Sequence, residues 1–152
     1  MYRTRMNRVL SCVLCVVLLA AAALNMTGCS NSQTTPATAQ TQLYTPSDTP
    51  HSLGEGQTTF LFTVTDLDGN EVAFEISTDE STVGAALSAA GLIEGEVGAY
   101  GLMVTHVNGI KLDYNEDKAY WAFYIDGEYA MSGVDLTEIQ SGKAYAFRAE
   151  KA

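Results

Sequence analysis

Hydrophobic positions are distributed along this chain in three different ways. From Val9 to Leu24 they run almost unbroken, interrupted only by Ser11, Cys12 and Cys15 and preceded by Arg3, Arg5 and Arg8. A spanning helix needs roughly 20 apolar residues, so this shorter run with a basic start is expected to be a signal peptide occupying residues 1–28. From Ser30 to Gln57 aliphatic side chains nearly vanish, apart from Leu43 and Leu53, and all three prolines, Pro36, Pro46 and Pro50, fall in this stretch. Such a segment buries too little surface to offset its ordering entropy, so residues 29–57 are expected to form a flexible Thr/Ser/Gln/Pro tether reaching on the order of 30 Å.

From Thr58 to Ala152 the pattern becomes that of a folded domain. Phe60, Phe62 and Val64 alternate with threonine and leucine, and Val72, Phe74 and Ile76 repeat the period after Asp68-Gly69, which predicts a β-hairpin. Val83, Ala86, Leu87 and Ala90 have helical spacing, so one short helix is expected over Thr82–Ala90. Asp79-Glu80-Ser81 supplies its caps and Gly91 its stop, while Gly84 inside it suggests close packing on the sheet. Further strands are expected over Tyr100–Val107, Tyr120–Ile125 and Ala144–Ala149, with turns at Asn108-Gly109 and Asp126-Gly127. The order predicts an α+β fold, a single small β-grasp-like domain with one helix packed on a mixed β-sheet.

Charge changes the picture on one point. After the signal only five Lys and Arg remain against all 18 acidic residues, a net charge of −13. Nucleic-acid binding is excluded as the main role, because it needs a basic face that releases counterions from phosphate. Of the three cysteines, Cys12 and Cys15 leave with the signal and only Cys29 survives, which excludes a disulfide framework or a zinc knuckle. Met26-Thr27-Gly28-Cys29 resembles a bacterial lipobox. That resemblance implies a lipoprotein whose Cys29 carries palmitate-type acyl chains and holds the chain on the extracytoplasmic face of the cell membrane. Two or three acyl chains exceed the two-signal threshold for stable anchoring.

Catalytic chemistry finds little support. His106 is the only histidine of the domain, and no Gly-x-Ser-x-Gly elbow, His-Glu-x-x-His helix or phosphate-cradling loop occurs, so the protein is not expected to be an enzyme and no cofactor is expected. Asp66, Asp68 and Asn70, and again Asp113, Asn115 and Asp117, have the oxygen spacing that opens a calcium loop. Both lack the glycine and glutamate that complete one, and read as turns with no metal site.

The aromatic residues are more informative. Nine of the 14 lie between Tyr100 and Phe147. In Tyr120–Ile125 alternation assigns Trp121, Phe123 and Ile125 to the core and leaves Tyr120 and Tyr124 on a face with no second helix to cover it. Tyr100, Tyr120, Tyr124 and Tyr129 are therefore the candidate ligand-binding residues, flat contact surfaces with hydroxyl groups.

Thr82-Val83-Gly84-Ala85-Ala86-Leu87, Tyr100-Gly101, Val107-Asn108-Gly109, Tyr120-Trp121, Gly133-Val134 and Ala144-Tyr145-Ala146-Phe147-Arg148, in that order, resemble the carboxy-terminal domain of transcobalamin and intrinsic factor, also found in a family of bacterial lipoproteins of unassigned function. The resemblance covers Thr59 to Arg148. It implies a β-grasp-like ligand-binding domain, with a corrinoid such as cobalamin as the ligand and a membrane transporter as the partner that capture would serve. The competing expectation is a non-catalytic adhesive or structural surface module that meets protein or glycan through the same aromatics.

Overall fold

The period-two stretch after Thr58 folds as expected, into the hairpin β2 (Thr58–Thr65) and β3 (Glu71–Thr78), with Phe60, Phe62, Val64, Val72, Phe74 and Ile76 all buried on one face. The computed structural model describes residues 42–152. The signal peptide, Cys29 and the tether up to residue 41 lie outside the described residues.

The other elements are β1 (His51–Leu53), α1 (Val83–Ala89), β4 (Ile93–Gly98), β5 (Gly101–Val107), β6 (Ile110–Lys111), β7 (Ala119–Ile125), β8 (Glu128–Tyr129), a 3-10 turn (Val134–Leu136) and β9 (Ala144–Lys151). Six strands form a mixed sheet in the order β1-β3-β2-β9-β7-β8, and three form a second sheet, β4-β5-β6. β9 returns parallel to β2, placing Tyr145 beside Phe62 and Phe147 beside Val64. A hairpin, a helix and a last strand returning beside the first is the order that the β-grasp expectation requires. The balance differs from the α+β expectation: among the described residues strand dominates, there is one helix and it is short, and Tyr100–Val107 contributes to a separate sheet rather than to one continuous sheet.

The helix begins and ends for identifiable reasons. Its N-cap is Thr82, whose Oγ1 accepts from Ala85 N–H at 3.3 Å, rather than Asp79, Glu80 or Ser81. Asp79 instead accepts from Gln57 N–H (2.9 Å), one residue beyond the Thr58–Thr78 end of the β2–β3 ladder. At the other end Gly91, at φ +69°, donates to Ser88 O and Leu92 N–H donates to Leu87 O, the paired bonds of a Schellman motif. Gly84 is a close-approach glycine, but its neighbour is the 3-10 turn rather than the sheet. A Cβ there would lie 2.7 Å from Asp135 Cα.

The tether expectation is corrected at its carboxy end. His51–Leu53 pairs in parallel with β3, with Leu53 opposite Ile76. Nine residues or fewer ahead, Tyr44 packs edge-on against Phe74 (5.3 Å between centroids), while Asn108 closes two bonds on its backbone, accepting from Tyr44 N–H (2.8 Å) and donating to Tyr44 O (2.9 Å). The segment has few aliphatics of its own, yet it is ordered by partners that already exist: an open sheet edge, an aromatic shelf and a buried carboxamide.

Candidate functional site

β7 is where the fold leaves space. Its register with β9 sets Tyr120 opposite Glu150, Ala122 opposite Arg148 and Tyr124 opposite Ala146 on one face, with Trp121, Phe123, Tyr145 and Phe147 on the other. The second face is the core face: Trp121 and Phe123 are buried, and Phe123 stacks on Tyr145 and tilts against Phe147. The alternation read from the sequence holds in register.

On the outer face the tyrosines form a connected row. Tyr120 and Tyr124 both donate their phenolic O–H to Glu150, Tyr120 at 3.1 Å, and the Arg148 guanidinium lies 4.4 Å above the Tyr124 ring. Tyr124 meets Tyr129 edge-on at 5.7 Å, and Tyr114 tilts toward Tyr120 at 6.4 Å. Hydrogen bonding to the Glu150 carboxylate, followed by desolvation, raises both Tyr120 and Tyr124 above the usual phenol value, because the neutral phenol is the donor that the carboxylate holds.

A cleft of about 760 Å³ opens beside this strand, within the size range of small-molecule sites. Ala119, Tyr120 and Trp121 all border it, as do Leu102, Met103, Val104 and Thr105 of β5. Consecutive residues of a strand point to opposite faces. The cleft therefore runs along the edges of β7 and β5, between the two sheets, rather than over one face. Its floor is apolar, with Phe123, Phe147, Leu112 and Val134, and its rim carries exposed Met103, Tyr114, Tyr129 and Met131. Met131 is 98% exposed. Large apolar side chains held in water at the mouth of an apolar cleft, two of them flexible thioethers, suit a bulky ligand of irregular outline.

The four candidate tyrosines are separated by the fold. Tyr120 and Tyr129 line the cleft, while Tyr124 lies outside it on the outer face, its hydroxyl engaged by Glu150. Tyr100 is 97% exposed in the turn between β4 and β5 and does not line the cleft. Trp121 and Phe123, expected only as core, are also cleft walls. Met103 and Met131 went unnoticed in the sequence because single methionines have no periodic signal, and nothing local says that two sheets will stand apart at this point.

The acidic turns have local explanations. Asp66 accepts from the backbone N–H of Asp68 and Asn70 and from the Asn70 side chain, and this last bond is the main reason its carboxyl lies below the ordinary value. Asp113 accepts from Asn115 and Glu116 N–H, which lower it in the same sense. These oxygens organise turns. Among the described residues no three His, Cys, Asp or Glu side chains converge as metal ligands. His106 is half-buried, with Nδ1 3.0 Å from Thr105 Oγ1.

Trp121 carries the least satisfied polar group of the site. Its indole Nε1–H is buried with no acceptor in reach. A buried donor left without a partner costs about 1–3 kcal/mol, which most native sites avoid.

Residues 80–150 match the model of a domain of unknown function, DUF4430. That span holds the helix, the second sheet and β7–β9, and so every wall of the cleft. Among solved structures the chain is similar to a candidate metal binding protein from Ruminococcus gnavus, at 28% identity and a TM-score of 0.60, over 63% of this chain and 99% of that one. It is also similar to haptocorrin in complex with Cbi, at 16% identity and a TM-score of 0.49, over 64% of this chain and 26% of that one. No curated protein matches the sequence.

Proposed function

We propose that this protein is a non-catalytic ligand-binding module, displayed on the extracytoplasmic face of a membrane by acyl chains on Cys29, whose inter-sheet cleft takes a bulky small molecule. The observation that carries this reading is the cleft itself: an apolar floor, a rim of exposed Tyr and Met, and a buried polar group without a partner, all at one place. A corrinoid is the ligand to test first, supported by the ordered set of motifs that resembles the transcobalamin carboxy-terminal domain, all of which lie within the span of the matched family model. Capture of such a ligand at a membrane surface would serve a transporter.

Absorbance titration of the full chain with aquacobalamin and dicyanocobinamide tests the ligand. A saturable spectral shift is expected, weakened by about 1–3 kcal/mol in each of Tyr129→Ala and Met131→Ala if these rim residues are hot spots. Absence of any shift at millimolar ligand would reject the corrinoid. Anchoring is tested separately with Cys29→Ser, which should release the protein or leave it unprocessed; normal membrane retention would assign the anchor to the Val9–Leu24 run instead.

A further inference from the structure

One Asn-Gly pair occurs in the sequence, Asn108-Gly109, and the fold places it under the segment that enters the domain. The pair forms the two-residue turn between β5 and β6, at φ +49° and +75°, with Val107 opposite Ile110. Asn108 is only 1% exposed, although connections between strands ordinarily run over the surface. Its cover is a strap of residues 42–50. The Tyr44 backbone closes on both ends of the Asn108 carboxamide, and Leu43 crosses Gly109, where an added Cβ would lie 3.4 Å from Leu43 Cα. Within the strap Tyr44 is half-buried and the other residues are exposed. Its seat is a ring cluster: Tyr44 lies 5.0 Å from His51 and 5.3 Å from Phe74, and His51 Nε2 is 2.9 Å from Thr45 O. A strap held by one ring and a few polar contacts opens at less cost than the sheets beneath it.

Opening has a chemical consequence, because an Asn-Gly pair in water reacts with itself. With no Cβ on glycine to obstruct it, the Gly109 amide nitrogen attacks Asn108 Cγ. The Gly109 N–Cγ bond forms, the Cγ–Nδ2 bond breaks, and Nδ2 leaves as ammonia with the proton that Gly109 N has lost. Water then adds to either carbonyl of the succinimide ring and opens it to aspartate or isoaspartate. One water is taken up and one ammonia released, with no oxidant, reductant or enzyme. The closed strap blocks the reaction twice: Cγ is pinned by the two bonds to Tyr44, and the buried carboxamide is kept from water.

The product does not fit back under the strap. Asparagine is donor and acceptor at once, and so matches the Tyr44 N–H and C=O together. Aspartate has only acceptors; it meets the Tyr44 carbonyl oxygen with no proton between them and buries a charge. Isoaspartate also adds a main-chain atom to a turn whose length sets the strand register.

We infer that Asn108 is a deamidation site gated by the strap: the closed strap protects it, an open strap exposes it, and deamidation makes the opening irreversible. Residues 42–50 then leave the domain surface and extend the chain ahead of it by up to about 30 Å. The inference stands on the turn and the strap and is independent of what the cleft binds.

Peptide mapping by mass spectrometry, on the full chain aged in mildly alkaline buffer with mild detergent, reads replacement of NH₂ by OH at Asn108 separately from the other asparagines. The folded chain should convert about a hundredfold more slowly than the chain in urea. Tyr44→Pro, which lacks both the N–H donor and the ring, should convert at least about tenfold faster than the wild type while the β2–β3 hairpin keeps its hydrogen-exchange protection. Wild type converting at the urea rate, or Tyr44→Pro at the wild-type rate, overturns the gate. If Tyr44→Pro also loses hairpin protection, His51→Ala decides: it keeps both backbone bonds to Asn108 and removes a ring contact and the Thr45 contact, so a severalfold acceleration is expected and none overturns the gate. Asn108→Asp should speed hydrogen exchange at Tyr44 N–H without ageing, and wild-type protection there overturns the irreversible step.

Discussion

The two ends of the large sheet use the same alternation of apolar and polar residues and reach opposite results. At the β2–β3 end the helix lies within reach of the sheet, and Phe62, Phe74, Val83 and Leu87 are fully enclosed. At the β7 end β5 of the small sheet comes alongside β7, and Trp121 and Phe123 border a cleft. A helix offers a continuous apolar stripe that follows a twisted sheet, whereas a second sheet brings an edge, and edges leave room. Burial pattern alone makes a core; the shape of the covering element decides whether that core is sealed or open.

The sharpest way to break this contrast is to truncate one phenylalanine at each end. Phe62, enclosed between Phe74 and Phe147, should lose about 3–5 kcal/mol as Phe62→Ala, whereas Phe123→Ala should lose less, about 2–3 kcal/mol, since the space it vacates joins the cleft. Equal losses by thermal or urea unfolding would show that both ends are equally sealed.

A second, smaller effect tests the closeness of the helical cover. Gly84→Ala gains about 1 kcal/mol of helix propensity but drives a methyl group to within 2.7 Å of the Asp135 backbone, so a net destabilisation of about 1–2 kcal/mol is expected. A stabilised variant would mean that the helix can move off the 3-10 turn.

Next comes the strap that spans the two sheets. Asn108 belongs to the β5–β6 turn of the small sheet, while Tyr44, which it holds, rests on Phe74 of the large one. Asn108→Ala should cost about 1–3 kcal/mol, with faster hydrogen exchange at Tyr44 N–H, and should leave the β2–β3 hairpin protected. Uniform loss of protection would place the strap inside the sealed core.

The smallest effect is a pH dependence on the open side. Tyr120 and Tyr124 have folded values raised by Glu150, so the stability they contribute is fully present below the ordinary phenol value of 10.0 and is lost as pH rises through their higher folded values. Tyr124→Phe should flatten the alkaline limb of the melting temperature against pH, and an unchanged limb would show that the Glu150 contact carries no linkage.

Much of the fold was legible because its signals are local. Strands followed from period-two patterns, and the turns Asn108-Gly109 and Asp126-Gly127 from residue pairs that accept positive φ at both positions. The helix was found to within a residue, although its cap was placed too early, since Asp79, Glu80 and Ser81 look as suitable as Thr82 until the backbone path is known. Strand β4 carries no such local signal: Ile93–Gly98 holds only Ile93 and Val97 among glycines and glutamates, and becomes a strand by pairing with β5. β1 reads as tether for the same reason, since it becomes a strand only by pairing with β3.

The site divides along the same line. Which face of β7 each residue takes is a consequence of alternation and was readable without coordinates, and so was the concentration of aromatics after Tyr100. That Tyr100 falls in a turn outside the cleft lining, that Tyr124 is held by Glu150, and that Trp121 serves as both core and cleft wall depends on which strands become neighbours. Pairing partners are chosen across tens of residues by edges that no local pattern describes. The sequence by itself determined the elements, their faces and an excess of negative charge; the tertiary structure decided which strands became neighbours and where a cleft opens beside β7, because pairing is settled between residues far apart in the chain.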